Sequence, residues 1–314
     1  MNILVTGGAG FIGSNFIEIL LEKTNHNIVV YDCLTYAGNI NNIKEFIEDR
    51  RLTFVEGDIR NGSVVDCSIK STDVVVNFAA ETHVDNSISS CKDFLTTNII
   101  GTAVLADSAI KYKVKKFVQI STDEVYGAIN YPHSSIETDV LKPQNPYSAS
   151  KASADMLLLS YYNTYKFPVV ITRCTNNYGK KQYPEKIIPL FISNLMNDKK
   201  VPVYGDGLQI RDWIHVSDHC NAILNVMEKG RVGEVYNIGS SNEIKNIDLT
   251  KILISKMEKD ETSIKYVEDR LGHDKRYSLN TEKIKNELEW KSVVNFEEGI
   301  DSTVKWYKDA FQQK

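Results

Sequence analysis

Long apolar runs are missing from this chain, and no stretch approaches the ~20 residues that a membrane-spanning helix requires. Charge of one sign is also scarce. With 37 Lys and Arg against 41 Asp and Glu, the formal net charge is −4. No basic excess therefore advertises nucleic acid or an anionic membrane, and a charged partner must be met by a few local cations. Cysteine is sparse too: Cys33, Cys67, Cys91, Cys174 and Cys220 lie far apart, and no C-x-x-C occurs. That scatter speaks against a disulfide frame or a metal site and suits reduced thiols acting as small buried fillers. Internal repeats, low-complexity tracts and long linkers are absent as well. What remains is an ordinary globular composition, 42% hydrophobic and 25% charged over 314 residues, enough for one large domain or two closely joined ones. Glycine appears as early as Gly7, which leaves no room for a cleavable signal ahead of the first strand, so cytoplasmic residence is the expectation.

Glycine is abundant where it matters. Residues 1–14 read as a short apolar strand running into Gly7, Gly10 and Gly13 and then into an amphipathic helical pattern carried by Phe11, Ile12, Phe16, Ile17, Leu20 and Leu21. A second strand, Ile28 to Tyr31, ends at Asp32. Glycines at such a turn permit positive φ and let a pyrophosphate approach the backbone, while the free amides opening the helix face the phosphates. A carboxylate at the end of the second strand meets the adenosine ribose hydroxyls and disfavours an extra phosphate there, which predicts NAD rather than NADP.

Further on, Ser121-Thr122-Asp123-Glu124-Val125-Tyr126-Gly127 places two adjacent carboxylates just after a strand and ahead of Tyr147-Ser148-Ala149-Ser150-Lys151. Tyr147 and Lys151 are one helical turn apart and share a face. An ammonium there favours the phenolate, which a tyrosine of ordinary pKa needs before it can act as a base near neutrality. Thr122 can complete a hydrogen-bonding trio around a hydroxyl being oxidised. Asp123 and Glu124 supply a second acid and base that a plain alcohol oxidation does not need, provided their surroundings separate their pKa values.

Strand-like runs at Leu52 to Val55, Asp73 to Phe78, Lys116 to Ile120 and Val169 to Arg173 alternate with helical ones, notably Phe94 to Tyr112 and Ser150 to Tyr165. Such alternation predicts a parallel sheet with helices on both faces. After Arg173 the elements shorten, punctuated by Pro184, Pro189, Pro202 and the turn Gly205-Asp206-Gly207. The run 234–239 returns to the sheet, and helices follow at Asp248 to Met257 and Phe296 to Phe311. The fold class is therefore α/β: a Rossmann-like, doubly wound parallel sheet with a smaller, interleaved substrate-binding lobe. The expected division gives residues 1–178 and 205–238 to the sheet domain and 179–204 and 239–314 to the lobe.

Taken together, Gly7/Gly10/Gly13, Tyr147/Lys151, Asn176-Asn177-Tyr178-Gly179 and the run Gly205 to Trp213 resemble the extended short-chain dehydrogenase/reductase superfamily. Within it, the segment 121–127 resembles the dTDP-glucose 4,6-dehydratases, and the likeness also covers Asp32 to Asn39 and Asp269 to Asp274. The resemblance implies an NAD-dependent lyase in which Tyr147 removes the sugar 4-hydroxyl proton, Glu124 takes the C5 hydrogen and Asp123 protonates the departing 6-hydroxyl. It implies a cofactor set of Gly7, Gly10, Phe11, Ile12, Gly13 and Asp32, with Asp58, Ile59, Ala79, Tyr147 and Lys151. For the nucleotide sugar it supplies Asn176, Lys186, Arg211, Asn246, Arg270 and His273, with Arg211 and Arg270 on the phosphates, while Thr82 and His83 follow a strand end where they can face the sugar. A homodimer joined through two helices per subunit is also implied. Family members commonly carry Arg and Pro where this chain has Asn86 and Leu271. A UDP-hexose or UDP-N-acetylhexosamine substrate stays open, as do a 4-epimerase, which lacks the Asp-Glu pair, and a non-catalytic NAD-binding protein.

Overall fold

The computed structural model describes residues 1–312. Its strands are β1 (Asn2–Thr6), β2 (Asn27–Asp32), β3 (Leu52–Glu56), β4 (Val74–Asn77), β5 (Lys116–Thr122), β6 (Val169–Cys174), β7 (Asn176–Tyr178), β8 (Val201–Tyr204), β9 (Ile210–His215), β10 (Val235–Ile238), β11 (Glu243–Lys245) and β12 (Ile264–Val267). Seven of them form a parallel sheet in the order β10-β6-β5-β4-β1-β2-β3. The chain winds outward from β1 in one direction and then, from β4, in the other. Between β1 and β4 the connections diverge, which opens a crevice at the carboxyl ends of the strands.

Strand periodicity builds the core on both faces. Ile3 and Val5 of β1 point into one apolar cluster with Phe16, Leu20, Val30, Val76 and Val118, while Leu4 between them joins Tyr31, Val75, Phe117 and Leu158 on the other side. Burial on both faces explains why β4 and the first half of β6 read as continuous apolar runs rather than alternating ones.

The helix carrying Tyr147 spans Pro146–Tyr165, four residues earlier than the predicted start at Ser150. Asn145 caps it through a reciprocal pair with Ser148, and Pro146 occupies the first helical position, where its missing N–H costs nothing. Tyr147 thus sits in a capped first turn. The predicted helix over 94–112 is three consecutive pieces, Lys92–Phe94, a π-helical stretch at Leu95–Gly101, and Thr102–Lys111. Asn98 in the π stretch accepts from Glu81 N (2.8 Å) and donates to Glu81 O (3.0 Å) and Ser150 Oγ (2.9 Å), tying the loop after β4 to the Tyr147 helix.

The smaller lobe holds the sheet β11-β9-β7 and the pair β12-β8. Around its core of Phe191, Ile192, Trp213, Leu249, Leu253 and Ile300 lie the helices Ile187–Met196, Asn246–Lys256 and Phe296–Gln312. The lobes interleave more finely than the boundaries drawn above. Adjacent β9 residues serve opposite sides, Trp213 in the lobe core and Ile214 under the large sheet, and Ile284, Leu288 and Trp290 also pack beneath that sheet. Cys174 and Cys220 are buried as expected, but Cys33, Cys67 and Cys91 are exposed. No described helix is long and apolar enough to cross a membrane.

Candidate active site

A cavity of about 710 Å³ opens at the carboxyl ends of the strands and runs from the glycine turn to the lobe. Every site residue named from the sequence lines it. At one end, Gly7 has φ +66°, and a Cβ there would lie 2.6 Å from Ala79 N. A Cβ on Gly13 would lie 2.3 Å from Gly7 O. The helix Phe11–Lys23 starts at Gly10 with no side-chain cap, so its first amides are left to an outside acceptor. Asp32 is 7% exposed and accepts from Ala9 N and Leu34 N, both at 2.9 Å. Burial raises its pKa, and those two amide bonds oppose the rise. A bare glycine cradle, uncapped amides and a carboxylate at the end of β2 fit a dinucleotide. Asp58 and Ile59 follow β3 beside this end, with Asp58 gripped by Arg60 at 2.5 Å and its pKa lowered chiefly by that hydrogen bond.

In the middle, β5 ends at Thr122 and passes into the tight 3₁₀ turn Asp123–Tyr126. Thr122 Oγ1 donates to Asp123 Oδ1 (3.2 Å) and accepts from Glu124 N (3.3 Å). Asp123 is 3% exposed, and its Oδ2 has no hydrogen-bond partner. Burial, and then the neighbouring Glu124, push its pKa well above the usual carboxylate range. Glu124 is also raised by confinement, but Arg211, the 3.3 Å bond from Asn145 Nδ2 and Lys186 all pull it back. Both carboxyls are therefore raised, Asp123 the further; Arg211 opposes the rise at each, and Glu124 has in addition the Asn145 bond and Lys186.

Tyr147 and Lys151 are 9% and 4% exposed. Lys151 Nζ donates to Ile120 O at 2.6 Å, and burial lowers its pKa. Burial first, then the charges of Glu124, Cys174 and Asp123, push Tyr147 upward, opposed by a hydrogen bond with Thr122. Desolvation and the two neighbouring acids thus dominate the surroundings of the phenol.

At the far end, Arg211 donates to Ile210 O (2.8 Å) and Asp274 O (2.9 Å) and lies 4.3 Å from the centre of the Tyr277 ring. Arg270 stacks on Tyr204 at 4.8 Å, approaches Asp85 at 3.6 Å, and has a buried Nε without a partner. Lys186 donates to Thr82 O (3.1 Å), and burial lowers its pKa. His273 bonds Asp269 at 2.6 Å and is lowered by burial. His83 caps the short helix Val84–Ser89 and lies 3.8 Å from Glu185. Asn176 stands on β7 and Asn246 opens the Asn246–Lys256 helix. Neither departure residue lines the cavity: Asn86 N donates to the His83 ring, and Leu271 is 76% exposed.

The sequence reading missed Asn145, which both caps the Tyr147 helix and bonds Glu124; the pair Asn145-Pro146 was the available signal. Tyr277 and Asp274, hydrogen-bonded to one another beside Arg211, were missed as well, as was Ser87, whose Oγ accepts from Tyr147 N at 3.2 Å.

Comparison with known proteins bears on the whole chain. The family described as GDP-mannose 4,6 dehydratase matches residues 4–303. A dTDP-glucose 4,6-dehydratase of Streptomyces antibioticus is 49% identical, covering 98% of this chain and 93% of that protein. The low-salt glycan biosynthesis protein Agl12 of Haloferax volcanii is 47% identical over 98% of each chain. Among solved structures, DesIV, a dTDP-glucose 4,6-dehydratase of Streptomyces venezuelae crystallised with NAD, superposes with a TM-score of 0.98 at 45% identity, covering 100% of this chain and 98% of that one. The chain belongs to the GDP-mannose 4,6 dehydratase family, within the extended short-chain dehydrogenases/reductases.

Proposed function

We propose that this protein is a nucleotide-sugar 4,6-dehydratase that converts dTDP-glucose to dTDP-4-keto-6-deoxyglucose with NAD as cofactor. The observation that carries the reading is the pair of confined carboxylates, Asp123 and Glu124, in one cavity with Tyr147 and Lys151. An epimerase has no use for that pair, and a mere NAD-binding module has no use for the Tyr and Lys. The named dehydratase relatives, similar over nearly the whole chain, support the same choice.

Gly7, Gly10 and the amides of Phe11, Ile12 and Gly13 would hold the cofactor diphosphate, Asp32 its adenosine ribose, and Lys151 the nicotinamide ribose, with Asp58, Ile59 and Ala79 completing the wall. Bound there, NAD⁺ supplies a hydride acceptor, later a donor, whose positive ring also favours the Tyr147 phenolate. Arg211 and Arg270 would meet the substrate diphosphate, with Lys186, Asn176, Asn246 and His273 on phosphate, ribose or neighbouring groups, and Thr82 and His83 on the sugar. The cofactor half of the site thus draws mainly on residues before Gly179 and the nucleotide half on the later lobe.

In this mechanism Tyr147 accepts the proton of the 4-hydroxyl while Thr122 orients it. The ketone formed at C4 acidifies the C5 hydrogen, which Glu124 removes. Asp123, kept protonated by its burial, delivers its proton to the 6-hydroxyl as water departs. The helices Thr102–Lys111 and Pro146–Tyr165, with the π stretch between 95 and 101, leave Leu95, Ile100, Met156 and Tyr165 exposed; we assign this apolar surface to a homodimer contact, which a stable monomer in sedimentation at micromolar concentration would contradict. Scattered, unpaired thiols suit a reducing cytoplasm.

Mass spectrometry of dTDP-glucose, UDP-glucose and UDP-N-acetylglucosamine after incubation, with no cofactor added, tests the assignment. Loss of one water from dTDP-glucose is the expected result. Preferential loss from a UDP sugar would move the substrate, and isomerisation without loss of water would replace the dehydratase by an epimerase.

A further inference from the structure

Elimination requires the Asp123–Glu124 turn and the Tyr147–Lys151 helix to address the same sugar, yet only the irregular stretch 127–145 joins them along the chain. Across space they meet at the Asn145–Glu124 bond and in the packing of Val125 and Tyr126 on Ala152, and a buried guanidinium adds a polar tie at the far end of the turn. Arg173, on β6 opposite Ser121 of β5, is 2% exposed. Its Nε donates to Asp155 Oδ2 at 2.9 Å, and its Nη1 donates to the Tyr126 hydroxyl at 2.9 Å. Its guanidinium carbon also lies 4.9 Å from the Tyr126 ring centre. Asp155 is fully buried and sits one helical turn beyond Lys151 and two beyond Tyr147. Tyr126 closes the 3₁₀ turn that begins with Asp123 and Glu124. Its hydroxyl donates in turn to Asn237 Oδ1 of β10 at 2.8 Å, and burial pushes its pKa up to about 12, so it remains a neutral donor.

A buried ion pair adds little stability over an apolar replacement, because desolvating both charges offsets their attraction. What this one supplies is geometry. We propose that Arg173 is a positioning residue: by joining Asp155 to Tyr126 it sets the placement of the carboxylate turn against the Tyr147 helix, which elimination needs and C4 oxidation does not. Oxidation relies on Tyr147 and Lys151, which the capped helix holds, and on Thr122 at the end of β5, whose bonds reach only the first two residues of the turn, away from Tyr126. C5 deprotonation and water loss rely on Glu124 and Asp123, whose turn is anchored at its far end through Tyr126. The proposal rests on the dehydratase reading above.

Tyr126→Phe is the sparing test, since it removes the hydroxyl while keeping the ring under the guanidinium; Asp155→Asn, which keeps an acceptor oxygen, is the second. In single turnovers of dTDP-glucose by the cofactor-loaded protein, three rates are followed: appearance of reduced cofactor, exchange of C5 hydrogen with D₂O, and loss of water. Melting temperature is recorded alongside. Tyr126→Phe should slow C5 exchange and water loss by ~10–100-fold, the scale of a small misplacement of reacting groups. Oxidation should stay within about threefold of the wild type, so reduced cofactor accumulates. A merely structural role would lower all three rates together. If the wild type itself shows neither C5 exchange nor water loss, the dehydratase reading falls and this proposal with it. If the wild type shows both and the variants keep its ratio of oxidation to exchange, the positioning role alone is overturned. Unfolding of both variants would overturn it too, by making the pair a stability element.

Discussion

Replacing Asp123 by Asn should stabilise the protein while crippling it. The wild-type carboxyl is 3% exposed, one of its oxygens has no hydrogen-bond partner, and Glu124 lies next to it. Burial and that neighbour raise its pKa well above the ordinary value. The folded state therefore keeps a proton that the unfolded chain releases at lower pH. Stability from this group is complete below the usual carboxylate range and is lost as pH rises through the raised value. An amide of the same shape has no charge to desolvate, and its oxygen can still accept from Thr122. Asn still leaves its Nδ2 without a partner, so the gain is only the excess cost of a charged over a neutral buried group, on the order of 1–3 kcal/mol. At ~2 °C per kcal/mol for a chain of this size, the Asn variant should melt about 2–6 °C above the wild type at pH 8. The difference should shrink toward zero near pH 4, where both side chains are neutral. Scanning calorimetry of the cofactor-loaded proteins from pH 4 to 9 reads this directly. An Asn variant that melts at or below the wild type at pH 8 would mean that Asp123 is held as a stabilised anion, and its role as proton donor would fail.

Other expectations follow from the same geometry. Asp32→Ala removes an acceptor from the amides of Ala9 and Leu34, bonds of a kind worth ~1.5–3 kcal/mol each. The purified variant should retain less NAD and discriminate less against NADP, as chromatography of cofactor released on denaturation will show; mostly NADP from the native protein would contradict Asp32's assignment. Tyr147→Phe should slow C4 oxidation by ~10²–10⁴-fold with substrate affinity nearly unchanged by calorimetric titration, and near-native turnover would point to another base.

The parts of this site that could be read from the sequence are those set by local spacing. The strand, glycine turn, helix, strand and Asp32 unit declares itself because each step needs a particular residue type within a few positions, and Tyr147 and Lys151 declare themselves through one helical turn. The difference between Asp123 and Glu124 could not be read, since Glu124 alone gains Asn145 and Lys186, which are distant in sequence and near only in the folded chain. Spacing likewise placed the Lys151 ammonium one turn from Tyr147, but it carried no sign of the desolvation and the two acids that push the phenol up. Asn145 was legible as a cap and overlooked. The link from Asp155 through Arg173 to Tyr126 joins three segments whose sequence neighbourhoods carry no sign of one another.

The central claim is that C4 oxidation, elimination across C5 and C6 and return of the same hydrogen occur in one cavity. Incubating dTDP-glucose deuterated at C4 with the protein in ordinary water, and locating the label in the product by NMR, tests it most directly. The account predicts deuterium at C6 and a solvent hydrogen at C5, with Glu124→Gln stalling before C5 exchange. Deuterium released to solvent, or retained at C4 in an epimerised sugar, would contradict it.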